Sequence, residues 1–321
     1  MNTFGNNFRI SIFGESHGHS VGILIDGCPV GIDLSEGDFT NDLLRRKSGA
    51  KGTTPRIEAD IPQIKSGVFE GKTTGAPILI AFENENTKSK DYSNLVKHPR
   101  PGHADFVAQQ KYKGFQDYRG GGHFSGRITL GLVAAGVVAK KVVSDIKISA
   151  KLTEVDGNPN IEQAIDDAIK TKDSVGGIIE CLTQNMPIGL GEPFFNSVES
   201  QISSLAFSVP GIKAIEFGLG FDAAKTKGKD YNDLIIDKKG STKTNYSGGI
   251  NGGISNGNDL QFRVAVRPTA SVSSEQETYN FEHQEIEILQ IKGRHDLCIA
   301  LRIPVIIEAV TAIALADFSL F

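Results

Sequence analysis

The chain has 321 residues, 39% of them hydrophobic and 22% charged, a composition that suits one large folded domain or two ordinary ones and excludes a disordered chain. Its formal net charge of −4 gives no general attraction to nucleic acid or to an anionic membrane, so any anionic ligand must be met by a local cluster of basic residues. Three cysteines, Cys28, Cys181 and Cys298, are odd in number, far apart and set in apolar stretches, which predicts buried thiols in a reducing compartment and no disulfide.

The first residues, MNTFGNNFRISIFGESHG, interrupt with glycines and charges the apolar core that a signal peptide needs, and no later segment reaches about 18 uncharged apolar residues. The expectation is a cytoplasmic protein with neither a membrane nor a nucleic-acid partner. Residues 8–13 alternate as a strand and deliver the chain into the glycine-bounded turn Gly14-Glu15-Ser16-His17-Gly18. Ser35 with Asp38 forms a capping signal for a helix through Phe39, Leu43 and Leu44 that ends on Arg45, Arg46 and Lys47, where basic residues suit the dipole.

Residues 77–83 read as a buried strand, 105–112 as a short helix and 127–146 as a long helix so apolar in its first half that it must be covered on most sides. Strand character follows at 151–155, 177–182, 214–221, 260–266 and 285–291, and helices at 161–171, 194–205 and 303–318. Strands and helices intermingle without regular βαβ spacing, and the two apolar helices each need two covering layers. The pattern is that of an α+β protein with helices packed between sheets. One domain is expected over residues 1–321, with a Gly-, Lys-, Asn-, Ser- and Asp-rich mobile loop near 225–258 and no internal repeat.

Chemistry concentrates in short loops that combine glycine, histidine, arginine and acid: the Gly14 to Gly18 turn, Arg100-Pro101-Gly102-His103-Ala104-Asp105, Gly120-Gly121-Gly122-His123-Phe124-Ser125-Gly126-Arg127, and Gly293-Arg294-His295-Asp296. Glycine lets backbone approach a ligand while the histidine beside it exchanges protons near neutral pH. Any single histidine of this kind is most simply a satisfied loop residue, and it is their recurrence that points to a site. Three glycines ahead of Ser125 and of Arg127 at a helix start form an anion-binding pattern. Residues 252–257 carry the glycines of a dinucleotide fingerprint but precede a strand, and Gly71-Lys72-Thr73 lacks the earlier glycine of a phosphate loop, which has Ser66 in its place. His17 and His19 with Asp105 or Asp296 would be compatible with a metallohydrolase, though no second ligand-spaced pair supports it.

Taken together, these motifs resemble the chorismate synthase family from end to end. Residues 8–29, with GESHG and Ile25-Asp26-Gly27-Cys28-Pro29, are similar to its first signature; GGGHFSGR with the following Ala-Ala-Gly is similar to its second, and residues 293–308 are similar to its third. RPGHAD and the GGISNG segment add further matches. The sequence departs from the pattern at His123-Phe124, where many members have Arg-Ser, at Leu297 in place of a common proline, and in the short, less arginine-rich loop from Lys47 to Lys51. The chain is also shorter than typical members, mainly in its middle.

The resemblance implies a helical layer between antiparallel sheets, a homotetramer, and an anti-1,4 elimination of phosphate from 5-enolpyruvylshikimate 3-phosphate on reduced FMN, with no net redox change. By the same resemblance His17 would protonate the departing phosphate, His103 would protonate the reduced flavin, and Asp296 would help the flavin take the ring proton, with Ser16 and Ser125 relaying hydrogen bonds. FMN would meet His123, Phe124, Ser125, Gly252, Arg267, Pro268, Thr269, Ala270, Ser271 and Arg294. Substrate or NADPH would meet Arg45, Arg46, Lys51, Arg100 and Arg127. No reductase domain is visible, so an external flavin reductase is expected, with NADPH as the source of reducing equivalents. Within enzymes the alternative is a metal-dependent phosphohydrolase; outside them it is a flavin- or phosphate-binding protein that retains the scaffold without turnover.

Overall fold

The computed structural model describes residues 2–54, 58–85, 94–291 and 295–320. Two antiparallel sheets enclose a pair of helices. The first sheet has the order Thr3–Phe4, Arg9–Gly14, Ser20–Asp26, Ile78–Glu83, Gln63–Ile64, and the second the order Ile212–Phe217, Leu260–Val266, Gly177–Gln184, Lys147–Val155. Helix Thr129–Val142 packs against the first sheet, helix Pro304–Ser319 against the second, and the two helices pack against each other.

This order follows from apolarity without a polar stripe. Residues 129–139 of the first helix and 305–317 of the second are buried throughout, so neither helix has a face to offer to water and each is covered on all sides. Close approach of the helices depends on Gly136, where a side chain would overlap Ala309. Two buried carboxylates of the core are satisfied. The Asp317 carboxylate, on the last turn of the C-terminal helix, accepts the backbone N–H groups of Asn6, Asn7 and Phe8 at 2.8, 2.6 and 2.8 Å, which fastens the start of the chain to its end. Glu308, also buried, accepts from Arg45, Lys140 and the N–H of Ala150.

Several expected elements differ in detail. The helix expected over 127–146 is a short 3-10 turn, Gly126–Ile128, followed by Thr129–Val142. The helix expected over 194–205 is a 3-10 turn, Phe194–Asn196, separated from Val198–Ser208 by Ser197, whose Oγ accepts the Ser200 N–H at 3.0 Å. Strands Ser20–Asp26 and Gln276–Asn280 were not anticipated. Within 225–258 the chain forms a short helix, Gly228–Tyr231, and a hairpin of Ile250–Asn251 with Ile254–Ser255. Asp233 gathers Thr244, Tyr246 and Ser247 there, at 2.7, 2.8 and 2.9 Å.

All three cysteines are buried and unpaired, and burial pushes the Cys28 thiol up to about 11 and the Cys181 thiol up to about 12. Among the described residues no helix is long and apolar enough to cross a membrane.

Candidate active site

The helix that begins at Thr129 is entered through the triple glycine. Gly120, Gly121 and Gly122 all have positive φ, at 60°, 82° and 54°, a conformation that a side chain would strain. This turn lies against the Gly14 to Gly18 turn, which it holds by a hydrogen bond from the Ser16 N–H to the Gly122 carbonyl at 3.0 Å. Two histidines meet there. A Cβ on Gly120 would lie 2.6 Å from Nε2 of His17, and a Cβ on Gly121 would lie 3.7 Å from Nε2 of His103.

Gly120 forms part of the wall of a cavity of about 240 Å³ that also takes in His103, Phe124, Ser125, Arg127 and Asp296. His17 does not line the cavity: it is buried and packs against Gly120, which does. Arg46, Arg100, Arg267, Pro268, Thr269, Ala270 and Ser271 complete the part of the lining that the sequence anticipated.

Most of the basic groups are fixed by acids. Arg127 donates to Asp60 at 2.8 Å, to the Glu83 carbonyl at 3.0 Å and to the Asn84 side chain. Asn84 in turn donates to the carbonyls of Glu15 and Gly18 at 3.0 and 2.8 Å, so one amide ties Arg127 to the His17 turn. Arg46 lies 3.5 Å from the other oxygen of Asp60. Burial and the neighbouring Arg302 and Arg127 lower its guanidinium to about 9 against the pull of Asp60 and Asp296, which still leaves it charged at neutral pH. Asp296 accepts the Thr54 N–H at 2.9 Å and pairs with Arg302 at 3.0 Å. Arg100 grips Asp105 and reaches Ser271 at 2.8 Å. Arg267 is the exception: among the described residues it has no acid partner and donates only to the Pro268 carbonyl, at 3.3 Å.

Two imidazoles on the wall are shifted downward. His103 is lowered by burial and by Arg100 and Arg267, partly offset by Asp105; His295 is lowered to about 4 by burial, Arg100 and His103. His295 is therefore neutral at pH 7, and burial favours the neutral form of His103. Among the described residues, two buried polar atoms of the lining, Nε2 of His295 and Oγ1 of Thr269, have no hydrogen-bond partner, and a buried atom of this kind costs free energy until a ligand supplies one.

Other expected contacts lie elsewhere. Arg45 projects away from the cavity to Glu308 and Asp42, because adjacent residues on a helix point about 100° apart. Lys51 pairs with Asp166 at the surface. His123 is turned to the Gly14 carbonyl at 2.8 Å and to Asn2 at 3.2 Å, and Gly252 sits in the turn of the 250–255 hairpin with open space around it. Arg294 falls outside the described residues. Conversely, sequence reasoning missed Glu58, Asp60 and Arg302 in the lining and Asn84 behind it, and named His295 within its loop without giving it a role. Arg302 and His295 lie in the 293–308 motif and could have been drawn from it, whereas Glu58, Asp60 and Asn84 carry no local signal. Among the described residues no three His, Cys, Asp or Glu side chains converge, so the His17 and His19 pair gains no further metal ligand.

A helix pair between antiparallel sheets, with an arginine-rich cavity entered over histidine-bearing glycine turns, defines an enzyme for a small anionic substrate. A profile of the chorismate synthase family matches residues 8–320. The chorismate synthase of Chitinophaga pinensis is 63% identical over the whole of this chain and 97% of its own length. That of Lachnospira eligens is 44% identical over 98% of this chain and 93% of its own, and that of Methanocaldococcus jannaschii is 41% identical over 99% and 96%. A crystal structure of chorismate synthase superposes with a TM-score of 0.73 at 25% identity, covering 98% of this chain and 92% of the other. The chain belongs to the chorismate synthase family. Its activity is that of a lyase, and its place is in the shikimate route to aromatic compounds.

Proposed function

We propose that the cavity binds 5-enolpyruvylshikimate 3-phosphate against reduced FMN, and that His17, His103 and Asp296 carry the proton transfers of the anti-1,4 elimination. The observation that carries this reading is that His17 and His103 lie against neighbouring glycines of one turn, Gly120 and Gly121, and that Gly120, His103 and Asp296 line one cavity.

The lining suits a phosphate-bearing aromatic cofactor. Arg267 has no competing acid among the described residues, Thr269 Oγ1 and His295 Nε2 await partners, and the partly exposed Phe124 ring offers an apolar face. Bound there, reduced FMN would supply an electron transiently and be returned unchanged. Arg127, fixed by Asp60 and Asn84, faces the substrate as a preorganised charge. His17 delivers a proton to the phosphate oxygen as its bond to carbon breaks, since phosphate leaves poorly with its full charge. His103 holds the proton exchanged with the flavin, and an anion within reach raises its affinity for that proton. Asp296, oriented by Thr54 and Arg302, assists removal of the weakly acidic ring proton. Ser16 and Ser125 lie beside the two histidines as relays. Arg45, Lys51, His123 and Gly252 have no part in this cavity.

The same reading carries the homotetramer, a separate flavin reductase fed by NADPH, and a cytoplasmic location, which three buried free thiols suit. Anaerobic incubation of the protein with photoreduced FMN and substrate should release phosphate together with product absorbance. Binding of both ligands without phosphate release would reduce the protein to a binder.

A further inference from the structure

Arg100 looks in the sequence like a ligand for an anion, yet all three of its nitrogens are engaged within the protein. Nε donates to Oδ2 of Asp105 at 2.7 Å, Nη2 to Oδ1 at 2.8 Å, and Nη1 to Oγ of Ser271 at 2.8 Å, with the side chain 4% exposed. The backbone N–H of Arg100 adds a further bond to Oδ2 at 3.2 Å. Such a fork fixes a carboxylate in plane as well as in place.

What the carboxylate then holds is His103, whose Nδ1 lies 2.6 Å from Oδ1. Burial alone would raise the Asp105 carboxyl, but the hydrogen bonds from Arg100 and His103 outweigh it and hold it well below the carboxylate range. An ionised carboxylate only accepts, so at this distance Nδ1 carries a proton. The Arg100 Nη2, 3.0 Å from Nδ1, is a second donor aimed at the same oxygen and cannot also donate to a protonated Nδ1. In the neutral ring the lone pair is therefore on Nε2, the atom that lies beside Gly121.

We propose that Asp105, clamped by Arg100, is a positioning residue: it fixes the Nδ1–H tautomer of His103 and leaves Nε2 as the atom that exchanges a proton with the bound ligand. The proposal rests on the role given to His103 above. It also explains a glycine-rich loop that ends in an acid, because Asp105 follows His103 by only two residues and the intervening turn brings the side chains back together.

Among the described residues, the charged and titratable groups that act on His103 are Arg100, Asp105 and Arg267, with His295 alongside. Of these only Asp105 favours the protonated ring. In Asp105→Asn, the pH at which His103 becomes reactive to diethylpyrocarbonate, followed by peptide mass spectrometry, should fall by about 1 unit or more. Turnover should drop by about tenfold or more, as when the orienter of a catalytic histidine is lost, while FMN binding stays close to wild type. Asp105→Glu, which keeps the charge, should restore the reactivity midpoint in part. A midpoint unmoved in Asp105→Asn would show that Asp105 only braces the loop and would overturn the proposal. Should that variant not fold, neutron diffraction from deuterium-exchanged wild-type crystals at neutral pH decides: deuterium on Nδ1 supports the assignment and deuterium on Nε2 alone overturns it. Neither readout requires turnover, so a wild-type protein that released no phosphate would fail the proposed function while leaving this pair to be judged by its own measurements.

Discussion

Replacing Gly120 by alanine would put a methyl carbon 2.5 Å from Cδ2 and 2.6 Å from Nε2 of His17, and 3.0 Å from Oγ of Ser16. The backbone there has φ of 60°, which costs an alanine about 1–2 kcal/mol, and overpacking a buried contact adds about 1–3 kcal/mol. If the ring keeps its place, stability falls by the sum, about 2–5 kcal/mol, or roughly 3–7 °C in Tm for a chain of this size. If the imidazole rotates away, it does so at 7% exposure with little room, and it loses its place against Gly120 of the cavity wall. Turnover then falls by about 10²–10⁴, the usual worth of a positioned acid, with substrate binding much less affected. Differential scanning calorimetry and anaerobic single-turnover phosphate release read the two arms separately. A Gly120→Ala protein with wild-type melting and wild-type turnover would refute the idea that His17 acts through the gap this glycine leaves.

Three further expectations follow from the site and the core. His103→Ala should slow elimination by about 10²–10⁴, with FMN affinity by fluorescence quenching changing much less; an unchanged rate removes His103 from the chemistry. Arg267→Met should weaken FMN binding by about 1.5–3 kcal/mol at unaltered Tm, because no buried acid depends on it, whereas Arg127→Met should lower Tm by leaving Asp60 unpaired; titration calorimetry and thermal melts would contradict this if the two variants behaved alike. Burial alone would raise the Glu308 carboxyl, but Arg45, Lys140 and the Ala150 N–H outweigh it and hold it below its ordinary 4.5. Its stabilisation is thus complete above that value and is lost as pH falls through the depressed folded-state value, so Glu308→Gln should flatten the acid limb of a urea-denaturation profile.

The sequence made the layered core legible because residues 129–139 and 305–317 offer no polar stripe, and only a sandwich buries such helices. Strand Ser20–Asp26 escaped notice for the opposite reason. Gly22 interrupts it, and this glycine is required by packing, since a side chain there would strike the Phe13 ring and the Ile80 carbonyl. At the site, glycine and histidine in one loop gave His103, Phe124, Ser125 and Arg127 directly. Neighbourhood along the chain misled in the basic run, where Arg46 points inward and Arg45 outward. Nothing local marked Asp60 or Asn84, because their importance lies in which distant residues they bind: Arg127 is 67 positions from one and 43 from the other.

Those acids change how the positive charge of the cavity should be understood. Arg46 and Arg127 share Asp60, Arg302 holds Asp296 and Arg100 holds Asp105, so the number of arginines overstates the field that a ligand meets. What the acids provide is geometry. A lone arginine in an empty pocket would lie in many rotamers or fold back onto backbone carbonyls, and binding would then have to order it. Arg127, held on three sides, is already in place before a phosphate arrives, and charge aligned in advance at a partly desolvated wall stabilises developing negative charge better than mobile charge does. Attraction is left to the groups with unfilled capacity, Arg267 and the unpartnered Thr269 Oγ1 and His295 Nε2. On the proposed function, in a protein of net negative charge, this division would concentrate recognition on one short stretch, Arg267 to Ser271, and leave the paired arginines to hold the reacting groups still.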